Sequence, residues 1–310
     1  MAREPRGKSR ITDIVAVVLA LAAVVAATLP DATAWVSERR TAGAISETQE
    51  VALARSADAV EAELERARLY NKALLNGMIA PDGSEGFDGS QGSEATDAIA
   101  DLRYDELLPG GRRGLMGTVS VPGVGIRLPL FHGTDDRVLA LGAGHLEGTS
   151  LPVGGPGTHT VITAHSGLGT SEMFDALHSV AVGDVFSTTV LDHTVTYRVS
   201  SMRTVLPDDV SSLRPVLGHD RATLVTCTPI GINTHRLLVT GERLDGDGSQ
   251  SGAEGHPLAL TDDPSSSIPG FPWWAVVQLG VLVVMAAFLY VRSGRRPHRH
   301  PGGSHCKTGT

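Results

Sequence analysis

Cysteine is nearly absent: Cys227 and Cys306 are the only two in 310 residues. That excludes a disulfide-stapled scaffold. With no Cys-x-x-Cys and no His-x-x-x-His pair, a zinc or copper site would have to be assembled from scattered ligands. Phosphate loops are missing too, since GVG at 123–125 and GAG at 142–144 lack the strand-and-helix setting that cradles a nucleotide. Clustered cations are confined to the two ends, and the long middle is acidic, which argues against nucleic acid as a partner.

The ends themselves are informative. Arg3, Arg6, Lys8 and Arg10 outnumber Glu4 at the start, and Arg292, Arg295, Arg296, Arg299 and Lys307 face no acid at the finish. Each basic end adjoins an uncharged apolar run, Ile14 to Leu29 and Phe271 to Val291, the second edged by Trp273, Trp274 and Tyr290. Both approach the roughly 20 residues of a spanning helix. The positive-inside bias then predicts cytoplasmic segments at 1–10 and 292–310, spans at 11–29 and 271–291, and everything between them outside the cell. Cleavage of the first span as a signal peptide after Ala34 is the alternative, because Ala32-Thr33-Ala34 fits a small-residue cleavage site. Either way Cys227 is exported while Cys306 sits in the basic tail, so the two cannot pair. A thiol left single in an oxidising compartment is either a buried, inert hydrophobe or a reactive group.

Residues 42–76 are rich in Ala, Leu and Glu and lack Pro and, after Gly43, Gly, so they predict a helix; its alternating charges suggest a solvated stalk over 30–79. The Gly-rich stretch 80–103 reads as a loop. From 104 to 245 the texture becomes short β-rich segments between Gly and Pro, namely 116–122, 125–131, 158–164, 184–191, 194–202, 222–227 and 236–244. Alternation such as Thr194, Thr196, Arg198 against Val195, Tyr197, Val199 argues a mainly β barrel or sandwich, with short helical turns at 137–142, 171–177 and 210–217. Residues 246–270 form a polar linker into the second apolar run.

The chemistry concentrates at TLVTCTPIGINTHR, residues 223–236. A strand ends at Cys227, Pro229, Gly231 and Asn233 demand a turn, and the chain resumes as a strand at Arg236. If the two strands pair antiparallel, Cys227 faces Arg236 across the mouth of the loop. Nearby positive charge favours the nucleophilic thiolate, and a guanidinium can hold an oxyanion that forms when sulfur attacks a carbonyl. A proton carrier is also needed, and His is the usual one. Of 12 His, His165 alone tops an apolar strand, Val161 to Ala164, at an exposed rim; His145 lies in a Gly-rich loop, His132, His178, His193 and His219 read as turn or surface residues, and His235 points to the other strand face from Arg236.

These segments carry a resemblance. TLVTCTPIGINTHR resembles the TLxTC...R signature of sortases, and GTHTVITAHSGL resembles their histidine segment. Residues 128–165 are similar to the long central block of the pilin-polymerising class C branch, whose topology the two apolar runs also fit. The resemblance implies an eight-stranded β-barrel preceded by an N-terminal helix, flanked by two transmembrane helices and held at the outer membrane face of a Gram-positive cell. It implies that Cys227 is the nucleophile, His165 the acid/base and Arg236 the oxyanion and substrate clamp, with Leu224, Thr226 and Asn233 at the substrate. It implies cleavage of an LPxTG-like sorting signal between Thr and Gly through a thioacyl enzyme, transfer to a pilin lysine amine, and no cofactor. It also implies hydrolysis as a side activity, and a cell-wall precursor as the other source of the acceptor amine. Alternatives are a housekeeping-type sortase that attaches surface proteins to peptidoglycan, and a non-catalytic scaffold on the same fold. Two departures stand out. Ser166 follows His165 where the family often has a basic residue, and 80–103 contain no Asp-Pro-aromatic lid tripeptide, Asp82, Phe87 and Asp88 being the nearest residues.

Overall fold

The computed structural model describes residues 7–77, 102–167, 173–244 and 272–294. The expected lid residues Asp82, Phe87 and Asp88, and the linker 246–270, lie outside them. Two units form, one comprising residues 1–35 with 270–310 and the other 36–269.

In the first unit, the early part of helix α1 (Gly7–Leu53) accompanies helix α4 (Trp273–Gly294). Trp35 meets Trp274 edge to face at 6.2 Å, and Gln278 donates to the Thr28 hydroxyl. Among the described residues one helix, over Val15–Leu53, is long and apolar enough to cross a membrane; the apolar stretch of α4, Trp273–Ala287, is shorter. Of the two expected spans, the first meets that length and composition among the described residues.

The second unit corrects the stalk. The helix expected without interruption over 42–76 breaks after Leu53 and restarts as α2 (Ala57–Leu75), with the Ser56 hydroxyl accepting from the Ala59 N–H as an N-cap. Nor is α2 a solvated rod. Leu64, Ala67, Tyr70 and Ala73 recur at helical spacing and are buried in the main core. Asn71, also buried, uses both halves of its amide on the Leu151 backbone, donating to the carbonyl at 3.0 Å and accepting from the N–H at 2.7 Å. Glu63 accepts from the Leu108 N–H at 2.8 Å, fixing the segment that leads into the barrel. The charges that suggested a stalk lie on the outer face, where Arg68 pairs with Glu61 and Glu65.

Eight strands close into a barrel in the order β1-β2-β3-β4-β7-β8-β6-β5. They are β1 (Leu115–Val121), β2 (Ile126–His132), β3 (Ala143–His145), β4 (His159–Thr163), β5 (Val185–Val190), β6 (His193–Val205), β7 (Arg221–Thr228) and β8 (His235–Arg243). A four-residue helix, α3 (Asp136–Leu139), precedes β3 and is capped by the Asp135 carboxylate. Closure removes the exposed edges that an open sheet would present. Two pairings, β2 with β3 and β4 with β7, are parallel and the rest antiparallel.

The barrel wall has two apolar faces. Ile162, Ala164, Ala222, Leu224, Leu237 and Val239 point inward to the main core. Their neighbours Val161, Val225 and Leu238 form a second, small cluster on the outer face, covered by Leu146, Val205 and Leu213. This follows from the period of two along a strand, and it decides where the functional residues emerge.

His145 corrects the expectation of a loop residue, and His132 that of a turn or surface one. His145 is fully buried on β3, its Nε2 donating to the Ser150 carbonyl at 2.8 Å, so Nδ1 is left to accept from the Tyr104 hydroxyl at 2.8 Å. Tyr104 in turn accepts from the Gly133 N–H and meets the His132 ring edge to face at 5.0 Å. Burial holds His145 down to about 4 and lowers His132 as well. These are structural imidazoles.

Candidate active site

β7 lies between β4 and β8, and register brings three distant sequence positions into one line. Cys227 pairs with Arg236 across the antiparallel β7–β8 ladder. On its other side the parallel β4–β7 ladder runs from His159↔Arg221 to Thr163↔Val225, and Ala164 N–H→Val225 O at 3.2 Å carries it one step further. Two residues beyond Thr163 and Val225 stand His165 and Cys227. Cys227 and Arg236 therefore lie side by side on adjacent strands about 4.8 Å apart, and His165 follows on the other side of Cys227, just past the end of β4. β6 extends the line, since Val205 pairs with Arg236.

The side chains share a face. Cys227 has the parity of Val225, His165 that of Val161 and Arg236 that of Leu238, so all three emerge on the outer wall beside the small cluster. All three are partly exposed, and Cys227 is a free thiol. The sulfur is therefore not packed away in the core.

The loop between Cys227 and Arg236 is tighter than expected, because Thr228 also pairs with His235. Ile232 and Asn233 both donate their N–H to the Pro229 carbonyl, and Gly231 and Asn233 take the left-handed conformation that Gly and Asn accept most readily. Arg236 Nη1 donates to the Asn233 and His235 carbonyls at 3.2 and 3.1 Å, which orients the guanidinium over the loop it closes.

The secondary expectations divide. Leu224 is fully buried in the main core, and Thr226 is buried with its hydroxyl donating to the Ala164 carbonyl at 2.9 Å. Both point inward, away from the face of Cys227, so neither presents a surface to a bound peptide; their even numbers on β7 already carried that parity. Asn233 is exposed beside Arg236. Sequence reasoning passed over Ser166 as a departure, yet it is 5% exposed and donates its hydroxyl to the Cys227 carbonyl at 2.7 Å. It also passed over Asp175, which accepts from the Gly167 N–H at 2.6 Å, and Phe174, whose N–H donates to the His165 carbonyl at 3.0 Å. Only a small polar residue directly after a strand-end His hinted at these. Among the described residues, no group of three or more His, Cys, Asp or Glu side chains converges as a metal site.

A thiol, an imidazole and a fixed guanidinium in one open row are suited to acyl transfer through sulfur. A family model described as the sortase domain matches residues 119–244, from within β1 to just past β8. Sortase A of Streptococcus agalactiae is 31% identical over 131 residues, which are 41% of this chain; the match spans about half, 52%, of that relative's length. Sortase C1 of Streptococcus agalactiae superposes with a TM-score of 0.56 at 39% identity, covering 66% of this chain and 99% of that one. Sortase C-1 of Actinomyces oris gives 0.51 at 41% identity, covering 61% and 99%. A Clostridium perfringens sortase C, solved with the C-terminal cell wall sorting motif, gives 0.53 at 33%, covering 65% and 98%. With nearly the whole length of these relatives covered at such identity, the chain belongs to the sortase family, on its class C branch.

Proposed function

We propose that the protein is a membrane-anchored cysteine transpeptidase that joins surface subunits, pilins among them, through a thioacyl intermediate. The observation that carries this reading is the single row of His165, Cys227 and Arg236 on the outer barrel wall. The Cys227 thiolate attacks the Thr carbonyl carbon of an LPxTG-like signal, and Arg236 balances the charge that collects on the carbonyl oxygen. His165 gives a proton to the departing Gly amine as the Thr–Gly bond breaks, leaving a thioester on Cys227. An incoming lysine amine attacks that thioester, His165 takes its proton, and the amide forms as the thiolate departs. Asn233, exposed between the loop and Arg236, is the remaining candidate for substrate contact.

Anchorage by two spans completes the reading. α1 supplies the first, and the 22 residues of α4 rise about 33 Å at about 1.5 Å each, close to the thickness of a hydrocarbon core. Basic residues beyond both runs favour cytoplasmic ends and a barrel outside a Gram-positive cell membrane.

The test is incubation of the full-length chain in detergent with an LPxTG-type peptide and a lysine-bearing acceptor. An amide product supports the proposal. Hydrolysis alone, or amide only with a cell-wall-precursor amine, favours the housekeeping reading that the similarity to a sortase A suggests. No turnover of the peptide refutes both.

A further inference from the structure

We propose that Ser166 is a positioning residue that fixes the His165 backbone to the backbone of the nucleophile itself. The inference rests on the roles just assigned to Cys227 and His165, and it concerns how the two are kept at a constant separation.

β4 ends at Thr163, whereas His165 lies beyond the regular ladder. A strand end without partners frays, and fraying here would move an acid/base relative to a sulfur. The described hydrogen bonds show how this is prevented. Ala164 is held on both polar groups, its N–H on the Val225 carbonyl and its carbonyl on the Thr226 hydroxyl. Past Ala164 the crosslink passes to a side chain, as the Ser166 hydroxyl reaches the Cys227 carbonyl at 2.7 Å from a nearly solvent-free position. Its acceptor belongs to Cys227, so the bond ties the two reacting residues without touching either reacting group.

The opposite side of the turn is fixed as well. The Phe174 N–H holds the His165 carbonyl, and the Asp175 carboxylate holds the Gly167 N–H. Gly167 has φ +76°, and a Cβ there would stand 2.9 Å from Ile230 Cγ2 and 3.2 Å from the Gly231 nitrogen. The turn is thus seated against the loop that separates Cys227 from Arg236. Ser166 sits at the centre of this clamp, and it is the member that reaches the nucleophile.

The experiment compares Ser166→Ala and Ser166→Thr with the parent, all full length, in detergent and in a Cys306→Ala background. It reads kcat and KM for an LPxTG-type peptide with an amine acceptor, thermal melting, and the rate of Cys227 alkylation by iodoacetamide. Ser166→Ala is expected to melt as the parent does while kcat falls about tenfold at nearly constant KM, because a small displacement of a catalytic group costs rate rather than binding. Ser166→Thr, which keeps the hydroxyl, is expected to restore most of that loss. An unchanged kcat in Ser166→Ala overturns the proposal, as does a joint loss of kcat, KM and melting temperature that Thr does not rescue. If the parent itself makes no product, the transpeptidase reading fails separately and alkylation decides the clamp. A rate altered about threefold or more in Ser166→Ala supports it, since thiolate reactivity follows its immediate surroundings, and an equal rate overturns it.

Discussion

Cys227 and Arg236 are register partners in neighbouring antiparallel strands, with one further pair, Thr228 and His235, between them and the connecting turn. The relationship places a cation beside a sulfur, and the carbonyls of Asn233 and His235 hold that cation through Arg236 Nη1.

Arg236→Ala is therefore expected to lose about 3 kcal/mol of transition-state stabilisation, roughly a hundredfold or more in kcat/KM. Arg236→Lys is expected to recover little, since a point charge does not reproduce a forked planar donor. Steady-state kinetics with peptide and amine check both, and parental turnover in Arg236→Ala would remove the residue from the mechanism.

Acid should loosen the barrel in a defined window. The imidazole of His145 has its folded value pushed by burial from 6.5 to about 4, so between these values the unfolded chain binds the extra proton. Stability contributed by the neutral form is complete above pH 6.5 and is lost as pH falls toward 4, by at most about tenfold in the folding constant per unit. His132, His159 and His193 are lowered in the same direction. The carboxylates held low, Glu47 and Glu242, begin to matter only below about pH 4.5. Melting temperatures from pH 8 to 4 should be flat above 7 and fall below 6.5, and His145→Gln should flatten the upper part of that slope while lowering the plateau.

Asn71→Leu should uncouple α2 from the barrel. It leaves the buried Leu151 N–H without its acceptor, while the Leu151 carbonyl keeps the Val153 N–H and the Thr160 hydroxyl, at a cost of about 2 kcal/mol. Urea denaturation measures the change; a loss under about 0.5 kcal/mol would mean that the amide is replaceable by water.

Gly241→Ala tests packing inside the barrel. The added Cβ would stand 2.6 Å from the Phe186 ring, which is itself stacked on Tyr197 at 5.4 Å. Overpacking of this kind costs about 1–3 kcal/mol, read as a lower urea midpoint at unchanged slope.

Much of this was legible before any coordinates. The parity of Cys227 and Arg236 around a turn rich in Pro, Gly and Asn specified their pairing, and an apolar run ending at His165 specified a strand end. What escaped was set by tertiary context. β3 is three residues, Ala143–His145, too short to show alternation. The restart at Ser56 occurs without Gly or Pro, within a stretch whose composition favours unbroken helix. The burial of α2 was masked by charges that occupy only its outer face. His145 reads as a loop residue because Tyr104, which packs on its ring and hydrogen-bonds to it, comes from a distant segment. Leu224 and Thr226, which the resemblance places at the substrate, are sent inward by the strand period.

The most direct test of the central claim is the intact mass of the full-length chain quenched after mixing with an LPxTG-type peptide and no amine. The account predicts an adduct equal to the peptide up to its Thr, attached at Cys227, kept in Cys306→Ala and lost in Cys227→Ala. An adduct that survives Cys227→Ala, or peptide cleavage undiminished in that variant, would contradict it.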